Sequence, residues 1–372
     1  LGTPLLLHAV GDIAPRRSDP ASIFASVADA LRSSDLRVGH LECPLSARGT
    51  PAPNAKLAMR SDPSVAASLR TVGFDALSVA GNHALDFGAI ALADTLTALR
   101  EAGIAACGVG ANLEQARAPA LIEARGKRVA LLSYCSILPT GYAAESARAG
   151  CSPLRAYTHF HHVEPDQPGT PPRVLTFADQ GDLDALVSDV KAARERADIV
   201  LLSIHWGLHF TRATLADYQR VVARAAIDAG AHAILGHHPH VLKGIELYRG
   251  RPIFYSLGNF AIEQPYVFNA DIQREQSFQD ISRLSKGWQP NAKFITPPDT
   301  RYTVIARLAF HDNGEIAASL LPCHIDDDSV PILLRAGDAA FEEVMAYQQA
   351  VTAEAGITTM FTRDGDRIAI TS

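Results

Sequence analysis

Three imidazoles crowd into the five residues Gly236-His237-His238-Pro239-His240. The apolar run 231–235 delivers them as a buried strand would. The glycine before them and the proline among them stop that strand and turn the chain. Core packing gives histidines at a strand-to-loop junction little to do, whereas metal coordination gives them a role, because neutral imidazole is the commonest side-chain metal ligand. On an extended segment, side chains two apart point the same way. His238 and His240 are therefore expected to face one ion and His237 to point away. Four more apolar runs end in similar chemistry: 5–10 in Gly11-Asp12, 36–41 in Glu42, 76–80 in Gly81-Asn82-His83, and 199–204 in His205. Ligands of an α/β sheet gather beyond the carboxyl ends of its strands, so these ends are predicted to converge.

The elements that must position these residues alternate between helix and strand. Asp62-Pro63 supplies an N-cap and a first-turn proline for a helix that Gly73 ends. Residues 88–102 read as a second helix, closed by Gly103. Asp182 reads as the cap of a third, with Leu183, Leu186, Val187 and Val190 on one face. Residues 215–229 read as a fourth, with Tyr218, Val221, Val222 and Ala225 on its stripe and Gly230 at its end. This rhythm predicts α/β layering with crossover helices. After Gly250 it changes. Residues 252–256, 302–310 and 316–322 read as strands, with His311-Asp312-Asn313-Gly314 as a hairpin turn, and this half is expected to form an antiparallel sheet packed against the first. Two stretches read as insertions. One is 137–173, whose His159, His161 and His162 are solvated loop residues or further ligands. The other, 265–300, is a candidate lid. A helix at 341–350 and a surface strand or tail close the chain.

With 372 residues and a net charge of −6, the chain has room for one large core or two smaller ones but not the basic balance of a general nucleic-acid binder. Its five cysteines are odd in number and widely spaced, which fits neither a disulfide framework nor a zinc ribbon. Cys43, beside Glu42, reads as a buried thiol. No apolar run reaches the length of a membrane span, and a cytoplasmic location is expected.

The ordered set Gly11-Asp12, Leu41-Glu42, Gly81-Asn82-His83-Ala84-Leu85-Asp86-Phe87-Gly88, His205-Trp206-Gly207, Gly236 to His240 and Tyr255-Ser256-Leu257-Gly258-Asn259-Phe260 resembles the CapA family. That family is associated with capsule and poly-γ-glutamate synthesis, within the calcineurin-like metallophosphoesterase superfamily. The resemblance spans residues 5–260. It implies a four-layer αββα sandwich; with the two insertions read above near 137–173 and 265–300, that domain is expected over 1–325, with a C-terminal extension over 326–372 packed on it. It also implies two divalent metal ions, with Mn, Fe or Zn best suited and Mg or Ca as alternatives. Asp12 and His240 would serve the first ion, Glu42 would bridge, and Asn82, His205 and His238 would serve the second. His83 would be the general acid. Asp86 either orients His83 or caps the following helix. Asn259 is a substrate contact or a turn residue, and Arg16, Lys56 and Arg60 are an anion clamp or solvated surface. The sequence departs from the superfamily pattern at two positions: Ala14 stands where a further ligand of the first ion is expected, and His40 where asparagine is expected.

Three activities fit this reading. The leading one is metal-dependent hydrolysis of an anionic ester or acidic peptide-like substrate. The second is a metal-dependent peptide epimerase, in which the ions acidify a Cα–H and flanking histidines exchange the proton. The third is a non-catalytic accessory protein that binds an anionic polymer during capsule assembly.

Overall fold

The computed structural model describes residues 2–372 apart from 54, 56, 167–168, 264–273, 275, 285–286 and 290–291. Two mixed sheets dominate the described residues. The larger contains β1 (Leu5–Ala14), β2 (Leu36–Leu41), β3 (Ala76–Ser78), β4 (Ala105–Cys107), β15 (Asn259–Ile262), β16 (Tyr302–Phe310), β17 (Ile316–Ile325), β18 (Pro331–Leu333), β19 (Met360–Asp364) and β20 (Arg367–Thr371). The smaller contains β6 (Ala120–Ala124), β7 (Lys127–Cys135), β11 (Ile199–His205), β12 (Ala233–His237), β13 (Ile245–Tyr248) and β14 (Arg251–Phe254). Short pairs join β5 (Val109–Gly110) to β8 (Gly150–Cys151) and β9 (Ala156–His161) to β10 (Arg173–Ala178).

Period-two alternation explains how the sheets stack. Leu5, Leu7 and Ala9 of β1 and Val304, Ala306 and Leu308 of β16 face a shared core with Val129 and Leu131 of β7, Leu201 of β11 and Leu235 of β12. The opposite face of the larger sheet, including Val10 and Ile13, packs on α1 (Ala28–Arg32), α2 (Val65–Val72) and α3 (Gly88–Glu101). The opposite face of the smaller sheet packs on α5 (Gln180–Arg196) and α6 (Asp217–Asp228). The result is the αββα sandwich. Strands buried on both faces read as unbroken apolar runs. A short α4 (Leu113–Arg117) follows β5, α7 (Gln276–Leu284) lies in the described part of 265–300, and α8 (Ala339–Glu354) sets Phe341, Val344 and Val351 against the inter-sheet core.

Several expectations need correction. The strands after Gly250 do not form a sheet of their own. β16 and β17 pair with each other, and β16 pairs antiparallel with β1, Leu5 opposite Phe310. β13 and β14 meanwhile join the smaller sheet through β12. The cap of α5 is Asp179, whose side chain accepts from the Asp182 N–H at 3.0 Å. Asp182 is instead buried and grips Arg155, with Nε and Nη2 each 2.7 Å from a carboxylate oxygen. Val221 is exposed, and the buried stripe of α6 runs Tyr218, Val222, Ala226 at four-residue steps. The 137–173 stretch is less irregular than its composition suggests, because β9 pairs with β10 from Ala156–Ala178 out to His161–Arg173. On it, His159 and His161, with His162 just beyond, are exposed. Of the 265–300 stretch, the candidate lid, residues 265–273, 275, 285–286 and 290–291 lie outside the described residues. The chain ends in the β19–β20 hairpin, which continues the larger sheet beyond β17.

Candidate metal centre

β1, β2 and β3 run parallel in one sheet, and β11 and β12 run parallel in the other. Their carboxyl ends open on the same side, and the two sheets contribute jointly. Asp12 sits where the pairing of β1 slips register against both β2 and β15. Such a bulge re-aims a side chain. Gly11 allows the approach: a Cβ there would meet Gly258 O at 2.0 Å.

Asp12 is fully buried. Its Oδ1 is 2.9 Å from His237 Nδ1, its Oδ2 is 3.5 Å from His240 Nδ1, and the His238 N–H donates to Oδ2 at 3.4 Å. His240 Nδ1 also lies 2.7 Å from Asn259 Oδ1. Across the cluster, Glu42 Oε2 is 3.3 Å from His40 Nε2 and 3.8 Å from His205 Nδ1. His205 Nε2 lies 2.7 Å from Asn82 Oδ1. The rings of His40 and His237 stack at 4.7 Å, and those of His205 and His238 meet at 4.9 Å. The six residues predicted as ligands, Asp12, Glu42, Asn82, His205, His238 and His240, are thus brought together.

His237 does not point away from the site. β12 ends at His237, and His238 and His240 then adopt positive φ of 92° and 57°, so alternation no longer applies. Sequence reasoning also missed His40 as part of the cluster, and His209, whose ring stacks 4.9 Å from His238 and lies 5.0 Å from His240. His40 hides inside an apolar strand and His209 in a loop. The His205-Trp206-Gly207 motif two residues earlier was the one available signal.

The electrostatics point one way. Burial holds His40 and His237 down at about 3, and burial with neighbouring imidazoles keeps His205, His209 and His238 well below the usual histidine range. Burial raises the carboxyls of Asp12 and Glu42, and the Asp12 and Asp86 carboxylates push Glu42 further up. Neutral imidazoles present lone pairs, and a nearby cation would reverse the penalty on the carboxylates. Five buried atoms here make no hydrogen bond to the described residues: His40 Nε2, both Glu42 oxygens, His205 Nδ1 and His238 Nδ1. Leaving buried acceptors unpaired is costly. The donor atoms of His40, Glu42 and His205 lie within 4.8 Å of one another. The set of imidazole, carboxylate and amide oxygen suits Mn, Fe or Zn, so the residues fit a divalent ion.

Beside this cluster, His83 Nδ1 is 2.6 Å from Asp86 Oδ2. Asp86 is buried and also accepts from Met59 N–H at 2.7 Å and Tyr142 O–H at 3.0 Å. It does not cap α3, whose N-cap position is Phe87. The remaining predicted residues are spread more widely. Arg16 is exposed, with its backbone N–H donating to Glu263. Arg60 lies over the Phe87 ring at 4.3 Å. Lys56 lies outside the described residues. Ala14 is fully buried against Cys43, Met59 and Ile262. Burial pushes the Cys43 thiol up to about 12, and the thiol bonds Ser61 Oγ at 3.2 Å, a structural thiol.

The family described as "Bacterial capsule synthesis protein PGA_cap" matches residues 2–264. The chain belongs to this family. Among curated proteins, it is 30% identical over 252 residues to the PGA biosynthesis protein CapA of Bacillus subtilis, covering 67% of this chain and 59% of that one. It is 31% identical over 231 residues to a probable polyglutamine synthesis accessory protein of Mycobacterium tuberculosis, covering 61% of this chain and 55% of that one. The chain therefore spans less than two thirds of the length of these relatives. Among solved structures, a calcineurin-like phosphoesterase from Bacillus subtilis aligns with 95% of this chain and 98% of its own at a TM-score of 0.40 and 12% identity. Every strand-end motif of the PGA_cap chain lies inside the matched stretch.

Proposed function

We propose that this chain is a metal-dependent hydrolase of an anionic ester or acidic peptide-like substrate, working through a dinuclear centre. The observation that carries the reading is the set of buried imidazole and carboxylate atoms, unpaired among the described residues, where the two sheets open. Asp12 and His240 would hold one ion, Glu42 would bridge, and Asn82, His205 and His238 would hold the other. When bound, such ions polarise substrate oxygens and lower the pKa of water. Asp86 holds His83 through Nδ1, which leaves Nε2 to pass a proton to a leaving oxygen, a role worth about 10²–10⁴-fold in rate. Asn259 fixes His240.

The expected outcome is that His238→Ala loses bound metal and turnover of a phosphodiester together, while His83→Ala keeps metal and loses turnover. Metal analysis of the two purified variants decides it, and loss of metal from His83→Ala would make His83 a ligand instead. The name of the mycobacterial relative, a probable polyglutamine synthesis accessory protein, favours a second reading, an accessory protein that binds an anionic polymer without turnover. Ala14, which offers no ligand, favours epimerisation. Deuterium uptake from heavy water into an uncut peptide would select that reading over hydrolysis, and polymer binding with no turnover would select the accessory role.

A further inference from the structure

We propose that His40 is itself a metal ligand, closing a three-donor divalent-cation site with Glu42 and His205. This rests on the metal-centre reading above and adds a residue that reading does not use.

The hydrogens behind the ring set its tautomer. Ser203 Oγ donates to Ser78 Oγ at 2.8 Å, and Ser78 Oγ donates to Gly39 O at 3.3 Å. A hydroxyl has one hydrogen and two lone pairs. With its hydrogen on Gly39, Ser78 can only accept from His40 Nδ1, 3.0 Å away. The arrangement that satisfies all three groups therefore places the ring hydrogen on Nδ1, a tautomer assigned from its partners. Nε2 is left as a bare lone pair, fully buried and 3.3 Å from Glu42 Oε2.

Two acceptors then face each other inside the protein. Neither Nε2 nor either Glu42 oxygen has a hydrogen-bond partner among the described residues, and His205 Nδ1, 3.8 Å from the same carboxylate oxygen, has none either. A cation held between them satisfies all of these atoms at once. The ring cannot swing aside, because it stacks on His237 at 4.7 Å and meets His205 at 4.8 Å. The approach is also kept clear: a Cβ on Gly81 would stand 3.1 Å from His40 Nε2 and 3.6 Å from His205 Cε1. A metal-ligating imidazole that gives its other N–H to an oxygen is the usual outer arrangement of such sites, and here Ser78, oriented by Ser203, supplies that oxygen. His40 in this way supplies a ligand to a centre in which Ala14 provides none.

The test uses the full chain stripped with chelator and titrated with Co²⁺, whose visible bands report nitrogen ligation. Wild type, His40→Ala, His40→Asn and Ser78→Ala are compared by affinity, band position and the rise in Tm on adding metal. The last reading separates ligation from packing. A purely structural His40 lowers the metal-free Tm and leaves the metal-dependent rise intact, whereas a ligand shrinks that rise. Both His40 variants are expected to lose at least about 100-fold in Co²⁺ affinity with a shifted band, and Ser78→Ala about 10-fold. His40→Asn guards against an Ala variant that fails to fold. A His40→Asn protein with wild-type affinity, spectrum and Tm rise overturns the proposal while leaving the wider metal reading standing. A folded wild type that takes up none of Co²⁺, Mn²⁺ or Zn²⁺ overturns both.

Discussion

Replacing Asp86 by asparagine changes one charge at constant shape, and three hydrogen bonds set its cost. The carboxylate accepts from Met59 N–H and His83 on Oδ2 and from Tyr142 O–H on Oδ1. A hydrogen bond to a charged group contributes about 1.5–3 kcal/mol and a neutral one about 0.5–1.5. Neutralising the acceptor therefore costs about 1 kcal/mol per bond. The amide NH₂ must also face either the Tyr142 hydroxyl, which can turn to accept, or the Met59 N–H, which cannot. The asparagine settles with its oxygen toward Met59 and His83, and the total loss is about 2–3 kcal/mol. Tyr142→Phe, which removes one donor and leaves the carboxylate charged, costs about 1.5–3 kcal/mol on the same scale. Activity falls further than stability implies, because His83 loses the charge that holds its ring, and a drop in kcat of about 10²-fold is expected. Urea unfolding in chelator, metal analysis and turnover of a chromogenic phosphodiester are measured on the same preparations. Unchanged metal content with both losses supports the assignment. An Asp86→Asn protein as stable as wild type would refute the three-bond reasoning, and one equally active would remove Asp86 from the work of His83.

Gly236→Ala is expected to destabilise at the upper end of the about 1–3 kcal/mol typical of overpacking. Its Cβ would meet Tyr255 O at 2.2 Å and Phe254 O at 2.7 Å, both backbone; the loss of Tm and of bound metal should appear together, and an unperturbed variant would contradict the strand spacing. His8, buried in β1 near Arg307, is held down to about 4, first by burial. Between about pH 4 and 6.5 the unfolded chain takes up a proton that the folded one refuses, so the stability is full above that window and lost as pH falls through it, by about 2 kcal/mol at pH 5. His8→Leu should flatten the acid limb of a Tm-versus-pH curve, and an identical curve would show that His8 is not the titrating group.

The strand ends were legible because an apolar run followed by Gly and a polar residue records both the strand and its termination, as at Gly81-Asn82-His83. Asp12, Asn82, His238 and His240 were flagged by that signal and Glu42 and His205 by an apolar run that ends directly in a polar residue, while their expected roles came from the family resemblance. His40 was not, since it lies one residue inside β2, where a polar residue reads as an interruption rather than a destination. The partition of strands was also illegible. Nothing local in 302–310 says whether it pairs with 5–9 or with the smaller sheet, because register between distant strands is set by tertiary packing rather than by either sequence. Tyr142 was lost for a related reason: a stretch rich in Pro and Gly shows where regular structure stops, but not that a hydroxyl within it returns to Asp86.

The pairing of β1 with β16 bears on how the protein is made. β1, which carries Asp12, leaves the ribosome long before its antiparallel neighbour, which begins at Tyr302, beyond the 2–264 stretch that matches the family. Until β16 arrives, the Leu5–Ala9 part of β1 lacks its partner on that side and presents an apolar edge, the kind of surface that seeds strand addition between chains. Contacts so distant in sequence close slowly and expose such intermediates to aggregation. A nascent chain halted near residue 264 would hold every motif of the centre and lack the strand that completes its sheet.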